Sequence, residues 1–174
     1  MRVIYAAALL AAATATPAFG QVFNGGNVAV IGGVDHATFA GESGTGLVYG
    51  IAGGYDFQSG GAAFGIQLEA SDATTKNCDL GVCIRSGRDL YAGGRVGAVV
   101  GTGGKTLIYA LAGYSNARVT VDGFGGENLD GIRGGLGIEH QPGNNWFFRF
   151  EGRYTNYEQG FERWQGVAGV GFRF

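Results

Sequence analysis

The feature that most limits what this chain can fold into is a two-residue alternation that recurs through most of its length. Residues 164–174 show it best. Trp164, Gly166, Ala168, Val170, Phe172 and Phe174 fall on one face, and Gln165, Val167, Gly169, Gly171 and Arg173 on the other. Successive side chains of a strand point to opposite sides, so this period makes a strand with two unlike faces. Residues 146–154 carry the pattern with charge. Trp146, Phe148, Phe150, Gly152 and Tyr154 oppose Phe147, Arg149, Glu151 and Arg153.

The same reading extends backwards through Ile132, Gly134, Leu136 and Ile138 against Arg133 and Glu139, and through Leu90 to Ala98 against Asp89, Tyr91 and Arg95. Phe64, Ile66 and Leu68 oppose Gln67 and Glu69, and Leu47, Tyr49, Ile51, Tyr55 and Phe57 oppose Val48, Ala52 and Asp56. Two strands have no decisive facing, residues 107–114, apolar on both sides, and a Val- and Gly-rich first strand near 27–34. Eight strands result, each about 8–12 residues, near the 9–11 that a tilted strand needs to cross the hydrocarbon layer.

The connections alternate. Residues 58–61, 101–105 and 141–145 are short turns rich in Gly, Asn and Pro, which supply unusual backbone angles. Connections near 35–45, 72–88, 120–130 and 157–163 are mostly longer. Short turns on one side and longer loops on the other mark a membrane barrel. The expected fold is all-β, an eight-stranded antiparallel up-and-down transmembrane β-barrel. A soluble periplasmic ligand binder of eight strands is its rival.

Residues 1–20 stand apart. Met1-Arg2 gives a positive start, residues 3–13 an apolar run too short to span a bilayer, and Ala18-Phe19-Gly20 a small-residue cleavage site. A signal peptide cut between Gly20 and Gln21 is expected, leaving 21–174 as the barrel domain. Without Arg2, eleven of the twelve basic residues remain against fourteen acidic ones, a net charge near −3. This excludes a strongly cationic nucleic-acid binder. Cys78 and Cys83 form a close pair in an exported chain and are read as a disulfide rather than a metal site.

An eight-stranded barrel is only wide enough for side chains to fill. Its inward charges must therefore pair, since an isolated buried one costs several kcal/mol. The expected lumen network is Glu69, Arg95, Arg133, Glu139, Arg149, Glu151 and Arg153, with Asp89 and Arg173 solvated at the rims. Inward glycines leave room for the guanidinium groups. Trp146, Tyr154, Tyr55, Phe57, Trp164, Phe172 and Phe174 are expected in aromatic girdles near strand ends.

Three stretches carry a family resemblance. They are Tyr49-Gly-Ile-Ala-Gly-Gly-Tyr-Asp-Phe57 with Phe64-Gly-Ile-Gln-Leu-Glu69, then Ile132-Arg-Gly-Gly-Leu-Gly-Ile-Glu139 with Trp146-Phe-Phe-Arg-Phe-Glu-Gly-Arg-Tyr154, and the ending Gly166-Val-Ala-Gly-Val-Gly-Phe-Arg-Phe174. They resemble the OmpA-like, opacity-type outer-membrane barrels often called the porin family, and the resemblance covers the whole mature chain. It implies residence in the outer membrane of a Gram-negative bacterium, among outer-membrane lipid and lipopolysaccharide. It also implies that Val170, Phe172 and Phe174 form a C-terminal signal read by the barrel-assembly machinery.

No enzyme activity and no cofactor are expected. His36, Asp35 and Ser43 can be drawn as a triad, but neighbours in one loop carry little weight, and His140 abuts a turn. The loop acids Asp72, Asp79, Asp122, Glu127 and Asp130 lack calcium-loop spacing and read as solvated charge. The expected role is structural, a membrane-integrity or surface protein with a charge-plugged lumen. The alternatives are a small-solute porin, or an adhesin holding a host or surface ligand through its external loops.

Overall fold

The computed structural model describes residues 21–39, 42–79, 82–121, 125–143 and 145–174, without the side chains of 39, 42, 76–79, 82–86, 121, 125 and 159. The expected leader, residues 1–20, lies outside the described residues. The strands are β1 (Gly25–Phe39), β2 (Glu42–Ser59), β3 (Ala62–Ala73), β4 (Lys76–Asp79), β5 (Val82–Val100), β6 (Thr106–Val121), β7 (Gly125–Gly143), β8 (Trp146–Tyr157) and β9 (Glu162–Arg173). β4 continues the line of β3, and both pair antiparallel with β5, so the nine segments make eight staves.

Every consecutive pairing is antiparallel, and β1 also pairs with β9 from Asn27↔Arg173 to Thr38↔Glu162. That seam closes the eight staves into a ring, as a structure spanning lipid requires; among the described residues only β4, beyond β3, is paired on one side alone. Both barrel termini and the short turns lie at one end. Gly60 (φ 57°) and Asn145 (φ 69°) supply the left-handed backbone for two of these turns.

The alternation becomes the barrel wall. Along the middle of the staves the outward residues are mostly apolar and uncovered; Val30 is 64% exposed, Leu136 69% and Ile132 75%. A continuous exposed apolar surface of this kind belongs in lipid, not in water. The seven girdle residues all lie on this outer face. Near the end bearing the termini, Trp146 meets Phe172 edge-on with ring centres 5.6 Å apart, and Phe57 stacks on Phe64 at 5.7 Å. Toward the other end Tyr154 and Trp164 pair at 4.7 Å. The two strands of undecided facing resolve here. Leu107, Tyr109 and Leu111 point inward, as do Ala29 and Ile31, while Ile108, Tyr114, Val28 and Val30 point outward.

The expected strand lengths need correction. β2 has 18 residues, and β5 and β7 have 19 each. Segments read as long connections are largely ladder: Asp35 pairs with Gly46 and His36 with Thr45, and β6 and β7 stay in register to Val121↔Gly125. Toward this rim the outward residues become polar, as at His36, Asn116 and Asp130, so hydropathy alternation fades. The backbone still gains from each further hydrogen-bonded pair, and the strands run on.

Candidate functional site: a closed ionic lumen

Alternation puts every second residue inside, and what it puts there is charge. The network rises from the end bearing the termini as a chain of bridging arginines. Arg173 on β9 contacts Asp56 (2.7 Å) and Glu139 (2.6 Å), and Arg95 on β5 binds the same two carboxylates. Arg149 links Glu139 (2.8 Å) to Glu151 (3.7 Å), and Arg153 links Glu151 to Glu69 (2.7 Å). Arg133 spans Glu69 (3.3 Å) and Asp89; Arg163 spans Asp89 (3.1 Å) and Asp35 (2.9 Å).

Six arginines thus alternate with six carboxylates in one neutral assembly, and no member is more than 5% exposed. A guanidinium presents a planar fork of donors, which lets each arginine hold two acids at once. Neutral groups complete the shell. Asp89 accepts from Ser115 and from Tyr157 (2.8 Å), Tyr109 donates to Glu151, and Asp35 accepts from Thr75 and Gln165 (3.0 Å). Such a cluster tolerates burial because every charge is paired; removing one partner strands the others.

Four of the six arginines, Arg95, Arg133, Arg149 and Arg173, lie over aromatic rings, and two of those rings cover their cross-strand partner glycines. The Arg95 guanidinium lies 5.0 Å from the centre of the Tyr109 ring, Arg133 5.0 Å from Tyr91 and Arg149 5.1 Å from Phe147. Tyr109 covers its cross-strand partner Gly137, where a Cβ would fall 2.5 Å from the ring. Phe147 covers Gly171 in the same way at 2.2 Å. These glycines make room for a flat ring directly and for the guanidinium only at one remove.

Apolar groups close both ends. At the end bearing the termini Phe23, fully buried, packs with Ala63, Val99, Leu107 and Leu111, and its N–H donates to Gln58 Oε1 at 2.8 Å. At the far end Tyr157 and Phe161, ring centres 5.4 Å apart, pack with Ala37, Ala117 and Leu129.

All seven residues expected in the lumen network lie in it. Asp89 and Arg173, expected at the rims, are also inside and paired: Tyr157 and Arg163 lie against Asp89, and Phe23 lies against Arg173 at the mouth. Asp56, Asp35 and Arg163 were missed. Asp56 sits on the inward face of β2, so alternation alone places it; Asp35 and Arg163 fell in segments read as loops. The triad drawn from Asp35, His36 and Ser43 does not form. Asp35 points into the lumen, while His36 points outward with Nδ1 3.0 Å from Thr45 Oγ1. His140 lies on the outer face with Nδ1 2.9 Å from Thr106 Oγ1. Asp130, expected in a loop, lies on β7 and accepts from Tyr114 and Asn116. Val170, Phe172 and Phe174 face outward on or just beyond β9. Cys78 and Cys83 oppose each other in the β4–β5 ladder, but their side chains, and with them the expected disulfide, lie outside the described residues.

The sequence model for the family described as outer membrane protein beta-barrel domain matches residues 5–174. The chain belongs to this family. The family places it in the bacterial outer membrane, with the apolar wall in lipid and the short-turn end toward the periplasm. Solved structures agree on the fold. Neisserial surface protein A is similar at 16% identity and a TM-score of 0.64, over 86% of this chain and 97% of that one. Ail, the attachment invasion locus protein of Yersinia pestis, is 13% identical with a TM-score of 0.61, over 87% and 99%. OprG of Pseudomonas aeruginosa is 14% identical with a TM-score of 0.56, over 87% and 97%. Comparison with curated protein sequences gives no match.

Proposed function

We propose that this member of the family is a structural outer-membrane barrel whose lumen passes no solute. The observation that carries this reading is the continuity of the ionic chain from Arg173 to Asp35, capped below by Phe23 and above by Phe161. A pore needs a continuous polar path that water can enter, whereas here each charge is bound to another and dry at both ends. Planar-bilayer recording tests it. The purified barrel is expected to give no stable conductance above that of the bare membrane, and a sizeable steady conductance would overturn the reading.

Outer-membrane lipid and lipopolysaccharide are its proposed surroundings, and the barrel-assembly machinery, reading Val170, Phe172 and Phe174, its partner during insertion. Export with removal of residues 1–20 and a Cys78–Cys83 disulfide complete the proposal. The direct cross-strand register of the two cysteines supports the disulfide.

A second reading, a surface adhesin, draws on the uneven outer rim. β8 and β9 turn at Tyr157–Phe161, level with Gly131, whereas β6 and β7 stay paired six residues higher. The similar protein Ail is an attachment invasion locus protein. Shortening the β6–β7 hairpin to the height of Gly131 tests it. Unchanged binding of cells to a host surface, with the barrel still assembled, would count against the adhesin.

A further inference from the structure

The weakest joint of a barrel is the seam between its first and last strands. Here β1 and β9 meet after the whole intervening chain has been laid down, so their pairing carries the largest closure entropy of any in the molecule. Elsewhere a turn or loop ties neighbouring strands, but this seam has no such tie: it is held by its ladder, from Asn27↔Arg173 to Thr38↔Glu162, and by the contacts of Asp35 with Arg163 and Gln165 at the far end. β1 opens at Gly25, whose backbone is left-handed (φ +113°), and just before it Phe23 lies buried in the periplasmic mouth.

The seat of Phe23 draws on strands from both sides of the seam. Gln58 on β2 accepts its N–H at 2.8 Å, Val99 on β5 and Leu107 on β6 share its buried apolar cluster, and the Arg173 guanidinium of β9 lies 5.5 Å from the ring centre. Alongside, the Phe174 N–H donates to Gly26 O at 2.9 Å, and the Phe174 carbonyl approaches Gly25 so closely that a Cβ there would fall 2.5 Å from it. The β9 part of the seat, the Arg173 guanidinium, is in place only when β9 lies against β1.

We infer that Phe23 is a latch for the β1–β9 seam. It is carried on the free side of β1, swings at Gly25 and locks across the lumen onto β9 and the far wall once the barrel has closed. By adding contacts that must break before the seam can part, it sets the lifetime of the closed barrel. This goes beyond the closed-lumen reading and holds whether or not solutes pass.

The test separates a latch from ordinary packing. The full chain is expressed in a Gram-negative host with Cys78→Ser and Cys83→Ser, extracted from the outer membrane, and heated in detergent. The half-life of the fast-migrating folded form is read on gels. Phe23→Ala is compared with the parent in three backgrounds: unbridged; with the seam bridged by Val30→Cys and Val170→Cys, a registered pair; and with a control bridge of Ala112→Cys and Gly134→Cys between β6 and β7.

Phe23→Ala is expected to shorten the half-life about tenfold or more without a bridge and with the control bridge, since latch contacts act on the unfolding rate. With the seam bridged the ratio is expected to fall to within about twofold. An equal loss in all three backgrounds would mean packing alone and overturn the latch, as would no loss in the unbridged protein. If Phe23→Ala assembles only with the seam bridged, the latch is supported. If it assembles in none, Phe23→Leu, which keeps apolar bulk but removes the ring beneath Arg173, is taken through the same comparison with the same criteria.

Discussion

The lumen and the outer wall of this barrel are built from the same strands, one residue out of step, and obey opposite rules. The wall is apolar and meets lipid, while the lumen is ionic and meets nothing but itself. On the wall a side chain has only to be apolar, because its neighbours are fluid acyl chains. In the lumen a side chain must match named partners at fixed distances. Glu139 alone holds Arg95, Arg149 and Arg173. One region is specified by solvent and the other by geometry, so substitutions in the two should differ in kind.

The largest expected effect is therefore inside. Glu139→Leu leaves three buried guanidinium groups short of a partner and is expected to cost about 4 kcal/mol, read as a lowered urea midpoint in lipid vesicles by Trp146 and Trp164 fluorescence. A shift no larger than that of a wall substitution would break the contrast. Next comes the reverse exchange. Ile138 faces lipid beside Phe150, midway between the two girdles, and Ile138→Arg is expected to cost about 3 kcal/mol by the same measurement. The residue type that holds the lumen together is harmful one position away.

Gly137→Val tests the stacked layers. Its Cβ would meet the Tyr109 ring at 2.5 Å, and displacing that ring should disturb Arg95 above it. About 2 kcal/mol is expected. Tyr109→Ala in the same chain should relieve the clash, so the double variant should lose less than the sum of the two singles. At the small end, Ile51→Leu on the wall, lipid-facing and apolar in both forms, is expected to change the midpoint by less than about 0.5 kcal/mol. A larger loss would show that the wall also demands shape.

Much of this was legible in the residues. Inward facing for Glu69, Arg95, Arg133, Glu139, Arg149, Glu151 and Arg153 follows from period two, because a charge opposite Phe150 or Ile138 has only the lumen left to it. Asp56 was legible on the same ground. Asp35 and Arg163 were harder, for they lie where the apolar partner pattern thins and the strand continues on backbone pairing; Asp89 and Arg173 stand at the ends of the alternation, and only the tertiary packing of Tyr157 and Phe23 against them shows that they are covered. Phe23 carried no signal at all: an aromatic before a pair of glycines reads as a loop residue.

The sequence by itself determined the architecture: eight staves, an apolar outside and a charged inside. Alternation is a local property, and one face of each strand must meet lipid. The tertiary structure decided who pairs with whom. Arg163 reaches Asp35 across the closing seam, and Arg133 reaches Glu69 from three staves away and Asp89 from two. Those partners come together only when the sheet has curved into a ring, because pairing across a lumen depends on the height and direction of every strand at once.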